Sequence, residues 1–335
     1  LRHIEADLES VRQAHYAAGD QVNQAQGRLY EASAEVGRLE AEIRFVVEGR
    51  QRVEQRLVQL AEQIAQWQAR REEADAELER LAGAGVDAEE KAELLAARAA
   101  HPQAQVVAGA TDVGLWVTKQ HRQLAQVLDV TRAAELRRID DTPEHIAIGA
   151  AVTLTEAFAR LTAQWPSLAE FAHRFAGLPV RNSGTLGGNV ANGSPIGDSM
   201  PLLIALRARV VLASPRGERT LALEDLYTGY RQNVLAPDEV LARILVPHPA
   251  HNELLRAYKV SKRFDDDISA VCLVLCLHLE GGAVRAASIG AGGVAAVPAR
   301  ARQAEAALAG QPWNEAAVQR AAQALQTEFT PLSDM

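Results

Sequence analysis

The sequence has few cysteines, no long apolar run and no surplus of basic residues. Its two cysteines, Cys272 and Cys276, are spaced by four in an apolar segment, which predicts buried, inert thiols on one face of a strand. A 2Fe–2S cluster needs four thiolates, so these two residues cannot hold one. No run reaches the roughly 18 apolar residues of a membrane-spanning helix, so none is expected. A formal net charge of −8 gives no indication of a nucleic-acid site.

Proline is also absent from residues 1–81, where apolar residues recur in a heptad pattern. Two series of positions, beginning at Leu1 and Ile4, repeat every seven residues to position 81. All of their members are apolar except His15, Arg50 and Arg71. Patterning sustained over this length predicts a coiled coil, about 120 Å long as a continuous helix. The two arginines in the seam must reach solvent, pair with glutamate or fix the register.

The charge changes along the chain as well. Residues 1–100 contain 13 Lys+Arg and 20 Asp+Glu, a net of −7, whereas the remainder contains 22 and 23, a net of −1. Gly83 and Gly85 interrupt the helical pattern, and residues 88–100 then indicate a short helix. We therefore predict a coiled coil over 1–82, followed by a linker and short helix over 83–100.

The segment Gly184–Pro201 is the most distinctive part of the remainder. Five glycines fall between positions 184 and 197, with Asn and Asp side chains among them. Glycine lets backbone N–H groups approach a ligand closely, and consecutive N–H groups suit a phosphate. The spacing is neither that of a P-loop nor that of a Rossmann turn. From the residues alone, a phosphate-binding loop and a surface loop of turn residues both remain open.

A second segment, Val106–Gly114, is a short apolar strand that runs into a glycine-bounded turn. Together with Gly184–Pro201, it resembles the FAD-binding domain of the xanthine dehydrogenase family, the flavin module of the molybdenum hydroxylases. The resemblance extends over about 101–335 and is greatest to the bacterial small subunit. Three further segments carry it: Arg174–Gly177, Tyr227–Arg231 and Tyr258–Asp267.

The resemblance implies an α+β fold. We expect an FAD-binding domain of two α/β subdomains over 101–252 and a small α+β C-terminal domain over 253–335, with its last helix truncated. The long α-helical coiled coil precedes them, in place of the family's iron–sulfur domain, so 83–100 is expected to contain a fusion junction. The absence of an initiator methionine suggests a fragment or a processed chain.

Local signals predict individual elements. Thr153 or Thr155 before Glu156 indicates a capped helix to about residue 163, and 166–175 indicates a second helix. After residue 254 the pattern is that of β-hairpins, with Gly281–Gly282 as a tight turn.

The resemblance also implies which residues contact FAD. The pyrophosphate is expected to be held from two sides, by Gly109, Ala110, Thr111 and Asp112 on one and by Thr185, Gly188, Asn189 and Asn192 on the other. The neighbouring Val107, Ala108 and Val113 are also expected to bind the cofactor.

Five further residues have roles implied by the resemblance. Asp198 is expected to bind ribose or ribityl hydroxyls, Leu241 and Lys259 to line the flavin ring, and Phe175 to contact it. Asp266 is expected near the nicotinamide entry, as the candidate catalytic residue. On pattern alone, Leu241 and Phe175 are typical of core residues, and a lysine on a strand or a run of aspartates is typical of solvent-exposed positions.

The expected function is that of a cytoplasmic FAD-dependent oxidoreductase of the xanthine dehydrogenase type. It passes electrons through FAD to NAD, with a molybdenum-binding large subunit as partner, and performs only the flavin half-reaction of purine oxidation by itself. The nine histidines show no metal-ligand spacing.

An alternative comes from residues 1–100, which resemble the arm helices of bacterial structural-maintenance-of-chromosomes proteins. Leu39–Leu81 and the following Ala-Gly-Ala-Gly-Val-Asp are the most similar part. The alternative function is thus a structural coiled coil in chromosome organisation. No Walker motif is present, so no ATPase activity is implied. A generic self-associating helix is the other interpretation of this segment.

Overall fold

The computed structural model describes residues 2–82 and 86–331, with side chains described outside 76–88. The chain divides into two compact units, Leu1–Leu81 and Ala82–Met335. The prediction of a break at Gly83 and Gly85 falls outside the described residues.

The first unit is the helix α1, Arg2–Ala82, which is unbroken as the heptad pattern predicts. The large apolar side chains of the seam are exposed, from 71 % at Ile4 to 38 % at Leu60. Arg50, in the seam, pairs with Glu54 one turn later at 2.6 Å. A long helix gains most of its stability from burying its apolar stripe, and the described part of this seam has no partner within the unit.

The second unit opens with four elements: α2 Val86–Ala100, β1 Gln105–Val107, α3 Val113–Thr118 and β2 Val127–Asp129. Strands β1 and β2 pair in parallel. Helix α2 packs into this unit, since Leu94 is buried in its main core. Lys91 Nζ also lies 2.8 Å from a Glu135 carboxylate oxygen and 2.7 Å from one of Glu218.

A five-stranded antiparallel sheet in the order β3-β4-β9-β5-β6 forms the centre of the unit. Its strands are β3 Ile139–Asp141, β4 His145–Gly149, β5 Arg209–Ser214, β6 Gly217–Ala222 and β9 Val240–Pro247. The hairpin of β7 Tyr227–Gly229 and β8 Gln232–Asn233 is separate from it. Most side chains of β4, β5 and β9 are buried, because helices cover the sheet.

The helices between the strands are α4 Leu154–Gln164, α5 Ala169–His173, α6 Leu178–Ser183, α7 Leu186–Asn192 and α8 Ser199–Ala205. Short 3₁₀ turns lie at Ala134–Arg137, Pro166–Leu168 and Leu223–Asp225. The capping box at Thr153 and Glu156 is confirmed. The single helix expected over 166–175 is wrong, because a 3₁₀ turn beginning at Pro166 precedes α5.

The glycine-rich segment is only partly a loop, contrary to our expectation, since its first half is the helix α7. Thr185 caps this helix, and Gly193 ends it in the left-handed conformation, with φ 58°. Leu186 and Val190 are buried. Burial of these apolar side chains and the cap offset the low helix propensity of Gly187 and Gly188.

The C-terminal part is a four-stranded antiparallel sheet covered by two helices. Its elements are β10 Glu253–Val260, β11 Val271–Glu280, β12 Ala283–Gly292, β13 Ala299–Arg300, α9 Arg302–Leu308 and α10 Glu315–Glu328. Gly281 and Gly282, both with positive φ, make the predicted turn. Gly290 packs on α8 so closely that a Cβ there would lie 1.9 Å from the Pro201 carbonyl oxygen.

The two cysteines lie on β11 and are buried free thiols, as predicted. Burial raises the pKa of Cys276 to about 12 and raises the pKa of Cys272 well above its usual range. Both therefore stay protonated at neutral pH and react poorly as nucleophiles.

Candidate functional site

The turn after β1 is shaped by close contact with the end of α6. A Cβ at Gly109 would lie 1.9 Å from the Ser183 carbonyl oxygen, so only glycine fits there. The Ser183 hydroxyl donates to the Gly109 carbonyl at 2.8 Å. Ala110 follows in the left-handed region at φ 55°, which is uncommon for a residue with a side chain.

The backbone N–H groups of this turn have no hydrogen-bond partner among the described residues. Within residues 2–82 and 86–331, no acceptor takes a hydrogen bond from the N–H of any residue in 109–112. Consecutive unpaired N–H groups around a left-handed residue are typical of an anion-binding concavity. Ala110 and Thr111 are exposed, so a ligand can reach it.

Helix α7 carries three of the predicted residues and is capped by a fourth, Thr185, and the N–H groups at its start have partners within the chain. The N–H of Gly188 donates to the Thr185 hydroxyl oxygen at 3.0 Å, and those of Leu186 and Gly187 donate to carbonyls of Val152 and Ala150. Gly188 therefore offers an accessible surface without a side chain, rather than a free N–H donor. The Thr185 hydroxyl accepts this bond and keeps its own proton to donate.

Side chains that the resemblance had assigned to the cofactor make one bond between the two glycine-rich segments and one within the second of them. The Asn192 amide donates to the Asp112 carboxylate at 2.5 Å. The Ser199 hydroxyl donates to the Asn189 amide oxygen, also at 2.5 Å. Both asparagines thus fix the loops, a role that sequence spacing did not indicate.

A buried ion pair lies beside these loops. Lys259 is buried, although a lysine on a strand is typically exposed to solvent. Its ammonium Nζ lies 2.7 Å from Asp198 Oδ2, with both side chains 5 % exposed or less. The second carboxylate oxygen, Asp198 Oδ1, is buried and accepts no hydrogen bond in the described chain. A buried carboxylate oxygen without a donor is uncommon in proteins, so Asp198 Oδ1 is an acceptor that a ligand hydroxyl or N–H group could satisfy.

Phe175 and Leu241 lie in the main core, each 6 % exposed. The Phe175 ring packs against Phe158, with ring centroids 5.0 Å apart. Phe175 and Leu241 are therefore core residues, as their sequence pattern indicated. Contact of these two side chains with a flavin remains a prediction.

Asp266 lies in an exposed turn against the corner between α5 and α6. Its backbone has φ 50°, and a Cβ at Gly177 would lie 2.6 Å from Asp266 Oδ1. Arg174 ties this turn to β10, since its guanidinium donates to the carbonyls of Phe264 and Lys259, both at 3.1 Å. The turn is thereby positioned next to the strand that carries Lys259.

The hairpin β7–β8 supports the C-terminal end of α7. This support was not predicted from the sequence. The Tyr227 hydroxyl donates to the Val190 carbonyl at 2.9 Å, and the Asn233 amide donates to the Ala191 carbonyl at 3.3 Å. These carbonyls are in the last turn of α7 and have no partner within the helix. Burial raises the pKa of Tyr227, so it stays a hydrogen-bond donor.

The structure thus joins the 109–112 turn to α7 and, separately, Asp198 to Lys259. A cavity of about 320 Å³ lies elsewhere, on β3, β4 and β9, and includes none of the predicted site residues. Among the described residues, no cluster of three or more His, Cys, Asp or Glu could hold a metal ion. No described helix is both long and apolar enough to cross a membrane.

Two protein families match consecutive parts of this second unit. Residues 84–249 match the family described as FAD binding domain in molybdopterin dehydrogenase. Residues 256–335 match the CO dehydrogenase flavoprotein C-terminal domain. The first match begins 17 residues before the resemblance at His101 and includes α2, which agrees with the packing of that helix.

Individual relatives are similar to different parts of the chain. Over 98 residues, 29 % of the chain, it is 67 % identical to the chromosome partition protein Smc of Delftia acidovorans, of which it covers 8 %. Over 251 residues, 70 % of the chain, it is 34 % identical to xanthine dehydrogenase of Drosophila subobscura, of which it covers 19 %. The chain spans about a fifth or less of the length of these relatives.

Among solved structures, carbon monoxide dehydrogenase from Hydrogenophaga pseudoflava aligns with a TM-score of 0.69 and 31 % identity, covering 72 % of this chain and 85 % of that one. The expected fold class, a long helix followed by an α+β flavoprotein module and a small C-terminal domain, is confirmed. The chain, with a segment similar to Smc in front, belongs to the family of FAD-binding flavoprotein modules of the molybdenum hydroxylases.

Proposed function

We propose that residues 101–335 bind FAD between the 109–112 turn and α7, and that the bound FAD passes electrons to NAD. The run of unpaired N–H groups at 109–112 is the observation that carries this proposal. Such a run supplies donors for a pyrophosphate without any side-chain charge. Gly188 is exposed and has no side chain, which leaves room for the phosphates on the α7 side, and the missing side chain of Gly109 lets its turn pack against Ser183.

The remaining residues fit the rest of the cofactor. The Thr185 hydroxyl is placed to donate to a phosphate oxygen, because it accepts from the N–H of Gly188 and keeps its proton. Asp198 Oδ1 is an acceptor without a donor, which suits a ribityl or ribose hydroxyl. Lys259 holds the other oxygen of that carboxylate and so fixes its orientation.

When bound, FAD supplies the redox chemistry, and the protein orients the two reactants. We assign Asp266 to the nicotinamide side of the site, because its turn is fastened by Arg174 to the strand that carries Lys259. Phe175 and Leu241 support the flavin side through the core. Hydride transfer needs closely oriented reactants, so the position of this turn controls the rate.

The electron source lies outside the residues of this chain. Its two cysteines are buried on β11 and cannot ligate an iron–sulfur cluster, which takes four. We therefore assign purine oxidation, of the xanthine dehydrogenase type, to a molybdenum-binding large subunit and to clusters that this chain does not hold. The compartment we assign is the cytoplasm.

The test is the FAD content of a Gly188→Val variant of the full chain, measured from flavin absorbance after FAD is added and excess is removed. The new side chain would enter the space of the phosphates, and its Cβ would lie 2.8 Å from the Thr185 hydroxyl. We expect loss of bound FAD. Gly37→Val, where an added Cβ meets nothing within 4 Å, is the control and should leave FAD content unchanged. Full FAD retention in Gly188→Val would contradict the site.

A second candidate function concerns residues 1–82, because of their similarity to Smc and their exposed seam. We propose that this segment is a coiled coil that self-associates, and that two coding segments join within 83–100, ahead of domains at 101–252 and 253–335. Sedimentation of the full chain should show a dimer that Ile43→Asp, in the seam, converts to monomer. Phe45→Asp, at an exposed position outside the seam, is the matched control. A monomeric unsubstituted chain would contradict self-association.

A further inference from the structure

The residue types in the seam of α1 specify how two copies of the helix would pair. This inference rests on the proposed self-association. Since α1 is one unbroken helix, no part of its unit can fold back over the seam. We propose that the seam binds a second copy of this chain in an antiparallel pair, in which seam residue i lies opposite seam residue 89 − i of the partner.

Side-chain size in the seam favours the antiparallel direction. Three successive positions in one heptad series are small: Ala18, Ala25 and Ala32. A parallel pair in register would place each alanine opposite itself and leave three loosely filled layers. In the antiparallel register, Ala25 meets the partner's Ile64 and Ala32 meets the partner's Leu57. Large and small side chains then alternate across the interface, which fills each layer.

The two arginines of the seam also favour the antiparallel direction. A parallel pair would bring Arg50 against Arg50 of the partner and Arg71 against its counterpart, whereas the antiparallel register places Arg71 opposite the partner's Ala18. The small alanine leaves space for the arginine stem. Each guanidinium already pairs with an acid four residues on, Arg50 with Glu54 at 2.6 Å and Arg71 with Asp75 at 3.5 Å. The charges can therefore reach the flank of the seam while the stems pack within it.

Charges beside the seam select the register. The rule 89 − i applies to the seam residues, whereas the flanking residues meet the same heptad position of the partner, in pairs whose numbers add to 87 on one side and 91 on the other. These flanking pairs include Arg12 with the partner's Asp75 and Glu35 with the partner's Arg56, and no like charges meet. Opposite charges at these flanking positions set orientation and partner choice in coiled coils.

Full overlap, in which residue i would lie opposite 82 − i, is disfavoured. Its flanking pairs, whose numbers add to 80 on one side and 84 on the other, would place Glu40 and Glu42 each against its own copy and Arg28 against the partner's Arg56. These are like-charge contacts with no opposite-charge pair to offset them. A shift of one heptad removes all of them and still covers the seam from position 8 to position 81.

Cross-linking of cysteine variants of the full chain tests the register. Leu29 and Leu60 lie opposite each other in the proposed pair, so a refolded mixture of Leu29→Cys and Leu60→Cys chains should form a disulfide-linked dimer on mild oxidation. Neither variant alone should do so, because each cysteine would face a leucine. Val58→Cys, exposed and outside the seam, is the control. Cys272 and Cys276 are buried with raised pKa values and should not compete.

The other outcomes are distinguishable. Cross-linked dimers of a single variant with itself would overturn the antiparallel direction, and cross-linking of Leu29→Cys with Val53→Cys, but not with Leu60→Cys, would overturn the one-heptad shift. Sedimentation as a monomer would overturn the proposed self-association itself, in favour of a partner helix of different sequence. FAD binding to the second unit is independent of all three.

Discussion

Among contacts between two residues, we expect loss of the ion pair of Asp198 and Lys259 to lower the free energy of unfolding most. The two charged atoms lie 2.7 Å apart and both side chains are buried. Replacing Asp198 with leucine leaves an uncompensated buried ammonium, which costs about 3–5 kcal/mol in such sites. Urea denaturation should show this decrease in the free energy of unfolding.

A double variant separates the structural role of this pair from its proposed role in binding. Asp198→Leu with Lys259→Met removes both charges and should recover most of the lost stability. FAD affinity should stay low, because the acceptor at Asp198 Oδ1 is gone. Wild-type FAD affinity in the stable double variant would contradict the assignment of Asp198 to a cofactor hydroxyl.

At the scale of elements, the hairpin β7–β8 should control how firmly α7 is held. Tyr227→Phe removes the hydrogen bond to the Val190 carbonyl and leaves that carbonyl without a partner. We expect a loss of about 1 kcal/mol in stability. A roughly fivefold weaker FAD affinity should accompany it, the factor to which 1 kcal/mol corresponds. Fluorescence titration with FAD measures the second quantity.

Tyr230→Phe is the control for this experiment, since Tyr230 is 56 % exposed in the same hairpin. It should change neither stability nor FAD affinity. Equal effects of the two substitutions would show that the hairpin does not act through the hydroxyl on α7.

For the whole molecule, we expect the flavin half-reaction and nothing more. The FAD-loaded chain should pass electrons from NADH to an artificial dye, because both the cofactor loops and the Asp266 turn are present. It should not reduce NAD⁺ with xanthine, because its two cysteines cannot ligate a cluster. Spectrophotometric assays of both reactions provide the measurement, with Gly188→Val as the FAD-free control. Any xanthine-dependent turnover by this chain alone would contradict the proposed division of labour.

Features that depend on nearby residues followed from the sequence by itself. The heptads predicted the continuous helix α1, the Thr153–Glu156 spacing predicted the cap of α4, and Gly281–Gly282 predicted a tight turn, and all three are present. Each is governed by contacts within a few residues, or by one repeating period, so the local pattern suffices. The buried thiols on β11 belong to the same class.

Features that depend on distant residues were decided only by the tertiary structure. Helix α7 forms in a glycine-rich segment because Leu186 and Val190 are buried by other elements and Tyr227 holds its end. Lys259, which the pattern of its strand placed in solvent, is buried because Asp198 lies 61 positions earlier in the chain and beside it in space. Local propensity cannot predict such contacts, since the free energy that stabilises them arises only when the chain has folded.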